Sequence, residues 1–202
     1  MTKGRLEAFS DGVFAIIITI MVLELKAPNA PDLESLGPLI PEFLSYALSF
    51  VFLGIYWNNH HHLFQAVRVV NGRILWANLH LLFWLSLIPF VTSWNGHSKF
   101  AALPVAIYGV VLLLAGSAYF VLARLLIAHH GKESLLATAL GRDFKGIVSV
   151  LIYAAAIPIA FVHPWISSAL YVLVAVMWLI PDRRIESALA NGNANTGSET
   201  EK

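Results

Sequence analysis

The residues of this 202-residue chain that most resemble ligands or catalysts are three consecutive histidines, His60, His61 and His62, with further histidines at His80, His129 and His130. Imidazole is a common metal ligand, so a zinc site is the first chemistry to weigh. Successive side chains on a helix point about 100° apart, and three neighbouring rings therefore diverge from any one ion. Helical zinc motifs space their ligands i, i+4, as in H-E-x-x-H, and no such motif occurs here. The chain has no Cys, which removes thiolate nucleophiles, disulfides and cysteine-held metal centres. Nor does it carry a Ser/His/Asp set or a glycine-rich phosphate loop. Neither an enzyme nor a cofactor is expected.

The medium around these polar groups decides what else they can do. Apolar residues make up 58% of the chain and charged residues 12%, with a mean hydropathy of +0.71. A soluble domain is about a quarter charged. This composition excludes a soluble globular protein and a disordered chain. The formal charge of +1 supplies no basic field for a nucleic acid. The partner demanded is a lipid bilayer, and the expected class is an all-α integral membrane protein.

Crossing a bilayer takes roughly 20 apolar residues in a helix. Six stretches qualify: Phe9–Leu25, Phe43–Asn58, Ile74–Trp94, Ala101–Ala128, Ile147–Val162 and Trp165–Ile180. The last two are near the short limit, and Pro158 and Pro164 argue for a break between them. Counting them separately places eleven of the thirteen Lys and Arg residues on one side, leaving Lys26 and Lys99 opposite. That asymmetry puts both termini in the cytoplasm. The long first apolar run, with no small-residue cleavage site after it, is read as a membrane helix rather than a cleaved signal. Residues 1–185 are therefore expected to form one six-helix transmembrane domain in the plasma or inner membrane. Residues 186–202, rich in Asn, Gly, Ser, Thr and charge, read as a disordered cytoplasmic tail.

Inside lipid, polar residues carry the information, because each needs a partner or water. Arg5, Ser10 and Asp11 lie at the cytoplasmic end of the first span. Either Ser10 or Asp11 caps that helix, or the group forms a buried ion-pair and hydrogen-bond network that fixes it to its neighbours. Beyond them Ile16, Ile20 and Leu23 fall on one helical face, with Thr19 on the same side. On spacing alone such a stripe marks contact with lipid or core. Of the three adjacent histidines, one is expected to turn inward and the other two to sit at the headgroup level with Trp57. Asn78 and His80 are expected to face other helices. Glu24, Asp32, Glu34 and Glu42 make the first external loop acidic, which over a pore would concentrate cations.

The run Arg5-x-x-x-Phe9-Ser10-Asp11 resembles the motif that opens the first helix of the bacterial members of the endolysosomal potassium channel family, transmembrane protein 175. Ile16, Thr19 and Leu23 follow Asp11 at matching distances. Trp57-x-x-His60-x-x-Leu63-Phe64 resembles the end of that family's second helix, and Asn78 followed by Pro89 resembles its third. The resemblance implies a leak-type, potassium-selective cation channel, a homotetramer whose four first helices line one pore. Ile16 and Leu23 would then constrict the pore, Thr19 would add a hydroxyl layer, and Ile20 would lie nearby. Arg5, Phe9, Ser10, Asp11, Trp57, His60 and Asn78 would form the motif and hold the pore helix in place. The sequence lacks T-V-G-Y-G, so a carbonyl potassium filter of that type is excluded directly. The rival reading is a proton- or ion-coupled secondary transporter. It fits less well, because the ionisable residues cluster near helix ends and no inverted repeat is visible.

Overall fold

The computed structural model describes residues 2–28, 30–67, 69–131 and 144–179. Within them regular structure is helical: α1 (Lys3–Leu23), a six-residue 3-10 helix (Glu34–Leu39), α2 (Ile40–Gln65), α3 (Gly72–Ser86), α4 (Ile88–His97), α5 (Ala102–His130), α6 (Phe144–Ile159) and α7 (Pro164–Leu179). Four rods are long and apolar enough to cross a membrane: α1, the 3-10 helix with α2, α3 with α4, and α5. Helices α6 and α7 are apolar but only 16 residues each, about 24 Å at ~1.5 Å per residue. The protein is a multi-pass membrane protein. The expected tail and the basic residues Arg68, Lys132, Arg142, Arg183, Arg184 and Lys202 lie outside the described residues.

Several boundaries differ from those read off hydropathy. Helix α1 starts at Lys3 rather than Phe9, because the polar turn before the apolar run is also helical. There Lys3 and Glu7 pair i, i+4 at 3.8 Å. Helix α2 likewise runs past Asn58 to Gln65, which puts all three histidines on the helix. The third span is interrupted at Leu87. Pro89 explains this: it has no amide to donate to the carbonyl four residues back, and its ring crowds that carbonyl. The break between the last two spans falls where the prolines place it, with Pro158 in the last turn of α6 and Pro164 opening α7.

The helices pack in two groups that share α5. Helix α1 leans on α2, α3 and α4, while α5 touches α3, α4, α6 and α7. Small residues let α5 approach closely: Ala115 and Ala118 are fully buried along it. The tightest approach is at Gly109, where an added Cβ would collide with the Tyr171 hydroxyl and come within 2.8 Å of its Cζ. That tyrosine is held by donating to the Val105 carbonyl at 3.1 Å. Gly109→Ala is thus expected to cost about 1–3 kcal/mol through overpacking. A lowered thermal unfolding midpoint in detergent is the readout, and an unchanged midpoint would show that α7 gives way freely.

Candidate functional site

Helix α1 is one-sided. Leu6, Ser10, Phe14, Ile17 and Met21 are buried against the rest of the subunit, and their spacing of about one helical turn puts them on one face. On the opposite side Ile16 is 58% exposed, Ile20 43% and Leu23 79%, and Arg5, Phe9, Gly12 and Thr19 are exposed too. The Thr19 hydroxyl donates its proton to the Ile16 carbonyl at 2.8 Å. Its oxygen lone pairs are left to point away from the helix.

Polar contacts from three other helices fix this orientation. In the first half of α1, the Asn78 amide of α3 donates to Ser10 Oγ at 3.0 Å, and Ser10 donates onward to the Leu6 carbonyl at 2.9 Å. Asn78 Oδ1 pairs with His60 Nε2 of α2 at 2.8 Å. Because that oxygen can only accept, the bond assigns the proton to Nε2. Ser10, His60 and Asn78 are all buried, so three helices meet in one satisfied polar cluster. The His60 ring is wedged between Phe14 and Phe64, with centroids at 5.8 and 4.6 Å. Beside the cluster, Trp57 Nε1 donates to Asp11 Oδ1 at 3.0 Å. At the far end of α1, Ser93 of α4 donates to Glu24 Oε2 at 3.0 Å. Helix α1 is therefore tied to the bundle near both ends.

Of the two alternatives for Ser10 and Asp11, a cap or a buried network, the structure places Ser10 in a hydrogen-bonded cluster and Asp11 beside it. Neither residue caps α1, since the helix begins at Lys3. The ion-pair part of that expectation is corrected: Asp11 takes a neutral indole N–H, and Arg5 is exposed with no salt bridge among the described residues. Phe9 is 51% exposed and stands outside the polar cluster. His60 is the histidine that turns inward, whereas His61 is exposed and pairs with Gln65 at 2.8 Å. His80 departs from expectation. It is exposed and accepts from Trp84 Nε1 of its own helix at 2.9 Å, so it satisfies itself locally instead of facing another helix.

A second polar chain was not anticipated from sequence. Ser45 donates to the Thr92 carbonyl at 2.9 Å, Thr92 Oγ1 donates to Ser49 Oγ at 2.7 Å, and Ser49 pairs with the Tyr108 hydroxyl at 2.9 Å. It joins α2, α4 and α5 in the buried interior. The i, i+4 spacing of Ser45 and Ser49 was the signal available for it. A third cluster gathers where α1 and α4 end and α2 begins. There His97 Nε2 lies 3.8 Å from Glu42 Oε1, and its Nδ1 bonds the Ser93 carbonyl at 2.8 Å. Gly96 makes this possible, since a Cβ there would stand 2.7 Å from the Glu42 Cα.

Comparison with known proteins places these features in a family. The family described as endosomal/lysosomal potassium channel TMEM175 matches residues 5–89, a span that contains the three side-chain ties among α1, α2 and α3. A potassium channel of Chryseobacterium sp. (strain P1-3) is 57% identical over 189 residues, covering 94% of this chain and 98% of that one. The mouse endosomal/lysosomal proton channel TMEM175 is 34% identical over 116 residues, 52% of this chain and 23% of that one. The crystal structure of a lysosomal potassium-selective channel TMEM175 homolog from Chamaesiphon minutus superposes with a TM-score of 0.74 at 28% identity, covering 89% of this chain and 97% of that chain. That family consists of channels rather than enzymes. With a family match over residues 5–89, a relative matched almost end to end and a solved homolog that superposes over most of its length, this chain belongs to the TMEM175 channel family and is an ion channel.

Proposed function

We propose that the protein is a leak-type, potassium-selective channel that works as a homotetramer, with four copies of α1 around a central pore. The one-sided burial of α1 carries this reading. A helix pinned by polar bonds near both ends presents Ile16, Thr19 and Leu23 on a fixed outward face, and four such faces can cover one another around an axis. Ile16 and Leu23 then form the apolar neck, with Thr19 between them and Ile20 at its edge. Both termini lie in the cytoplasm, and α6 and α7 each cross a plasma or inner membrane.

An apolar ring offers an ion no ligand, so passage depends on the width of the neck and on whether it holds water. Potassium gives up its hydration more easily than sodium, which favours it at such a neck. Thr19 adds to the preference. With its hydrogen committed to the Ile16 carbonyl, the hydroxyl presents lone pairs that can replace part of the lost shell. Thr19→Ala is expected to lower the potassium-to-sodium permeability ratio. An unchanged ratio would remove the hydroxyl from the account.

The test is ion flux from proteoliposomes holding the purified protein. Potassium, sodium, protons and a large organic cation are compared. Flux that follows the potassium gradient and excludes the organic cation supports the channel. Flux that saturates and requires a proton gradient would replace it with coupled transport. Protons are included because mammalian relatives are named proton channels, which favours a proton conductance as the second reading.

A further inference from the structure

Away from α1, the helices α2, α5, α6 and α7 enclose a cavity of about 410 Å³, within the range of about 300–1,000 Å³ typical of small-molecule sites. Tyr56, Ser117, Phe120, Val121, Val150 and Trp178 form much of its wall. Phe120 is 39% exposed, Val121 44% and Val150 38%, so the cavity is reached sideways, from the direction that in a bilayer is hydrocarbon.

Several polar side chains in the wall are already engaged. Ser117 Oγ donates to the Leu113 carbonyl at 2.8 Å, and Asn59 Nδ2 donates to the Ile55 carbonyl at 2.8 Å. Ser149 donates to the Lys145 carbonyl and accepts from Trp178 Nε1, both at 2.8 Å. A buried water needs two to four polar partners, and this lining offers few. The chemistry that fits is an alkyl chain.

Two basic side chains stand beside the wall at one end of the cavity. The Arg124 guanidinium lies 4.9 Å from the centroid of the Phe120 ring, and the Lys145 ammonium 6.0 Å from that of Trp178. Both rings belong to the wall. The two cations share one end because Arg124 is near the close of α5 and Lys145 near the start of α6. We propose that the cavity holds an acyl chain of an anionic membrane phospholipid whose phosphate is bound by Arg124 and Lys145. The hydrocarbon comes from the bilayer, the charge from the headgroup, and the site does not depend on which ion the pore passes.

The test is native mass spectrometry of the detergent-purified protein with phosphatidylglycerol or phosphatidylcholine of identical chains. Wild type is expected to retain phosphatidylglycerol in preference. Ser117→Phe, which fills the cavity and gives up only a bond to its own helix, is expected to lose retention of both lipids. Arg124→Gln is expected to keep the chain site and lose the headgroup preference. Equal retention of the two lipids by wild type, undiminished phosphatidylglycerol binding by Ser117→Phe, or an intact preference in Arg124→Gln would each overturn the proposal. If Ser117→Phe does not fold, Val121→Trp fills the same space from a half-exposed position and is read in the same way.

Discussion

Proteoliposomes carrying Ile16→Asn are expected to pass potassium roughly tenfold faster than wild type, or more, with a smaller potassium-to-sodium ratio. In the proposed tetramer four Ile16 side chains meet at the axis, and an ion crossing them leaves water without gaining a ligand. Four amides in their place hold water in the neck and offer dipoles to the ion. A barrier lowered by only ~1.4 kcal/mol is tenfold in rate, and one less dehydrated layer readily supplies that. Sodium gains more than potassium, because the cost of stripping it was the larger. Within the subunit Ile16 is 58% exposed, so the fold is expected to lose no more than about 0.5 kcal/mol. Leu173→Asn on α7, at 54% exposure, is the control for an exposed apolar residue away from the axis, and its flux is expected to match wild type. If Ile16→Asn behaved as Leu173→Asn does, Ile16 would not face the pore.

The other large effect is expected from Asn78→Leu. This substitution keeps the volume close but strips both bonds that join α3 to α2 and α1. The His60 Nε2–H is then left without an acceptor, and Ser10 loses its donor, in an interior where neither reaches water. An orphaned buried polar group costs about 1–3 kcal/mol, and single interhelical bonds in membranes measure lower, about 0.6 and up to ~1.7 kcal/mol. Two bonds lost together are therefore expected to cost ~1–3 kcal/mol, read as a lowered thermal midpoint in detergent. Because the cluster sets how α1 is rotated, flux is expected to fall as well. Ser10→Ala separates the two bonds, since it removes the acceptor of the Asn78 amide and leaves the Asn78 oxygen to accept from His60. Its midpoint is expected between those of wild type and Asn78→Leu. Wild-type stability and flux in Asn78→Leu would show that the cluster is not what holds the helix.

Much of the architecture was legible before any coordinates. Long apolar runs must be helices in a bilayer, because only an internally bonded backbone survives there. Residue type alone separated the polar groups that need partners from the apolar background. The motif Arg5-x-x-x-Phe9-Ser10-Asp11 with Trp57, His60 and Asn78 identified the residues around α1. Hydropathy was blind to helix ends, since the turns at Lys3–Glu7 and His60–Gln65 are polar yet helical. Pairing partners were also out of its reach. His80 and Asn78 are two positions apart, and a helix turns them to different sides. One therefore bonds its own Trp84 while the other bridges to α1 and α2.

By itself the sequence determined the medium, the helical class and the family, because these depend on composition, on run length and on a motif within one helix. The tertiary structure brought Ser10, His60 and Asn78 into one cluster, joined Ser45, Ser49, Thr92 and Tyr108 into one chain, and opened the cavity beside Trp178. Each of these depends on where helices distant in sequence meet, and hydrogen bonds and packing act over a few ångströms of space whatever the separation along the chain. The bare face of α1 is the clearest case. The spacing of Ile16, Thr19 and Leu23 describes a stripe on a cylinder, but only the packing of Leu6, Ser10, Phe14, Ile17 and Met21 against the bundle sets which way that stripe points.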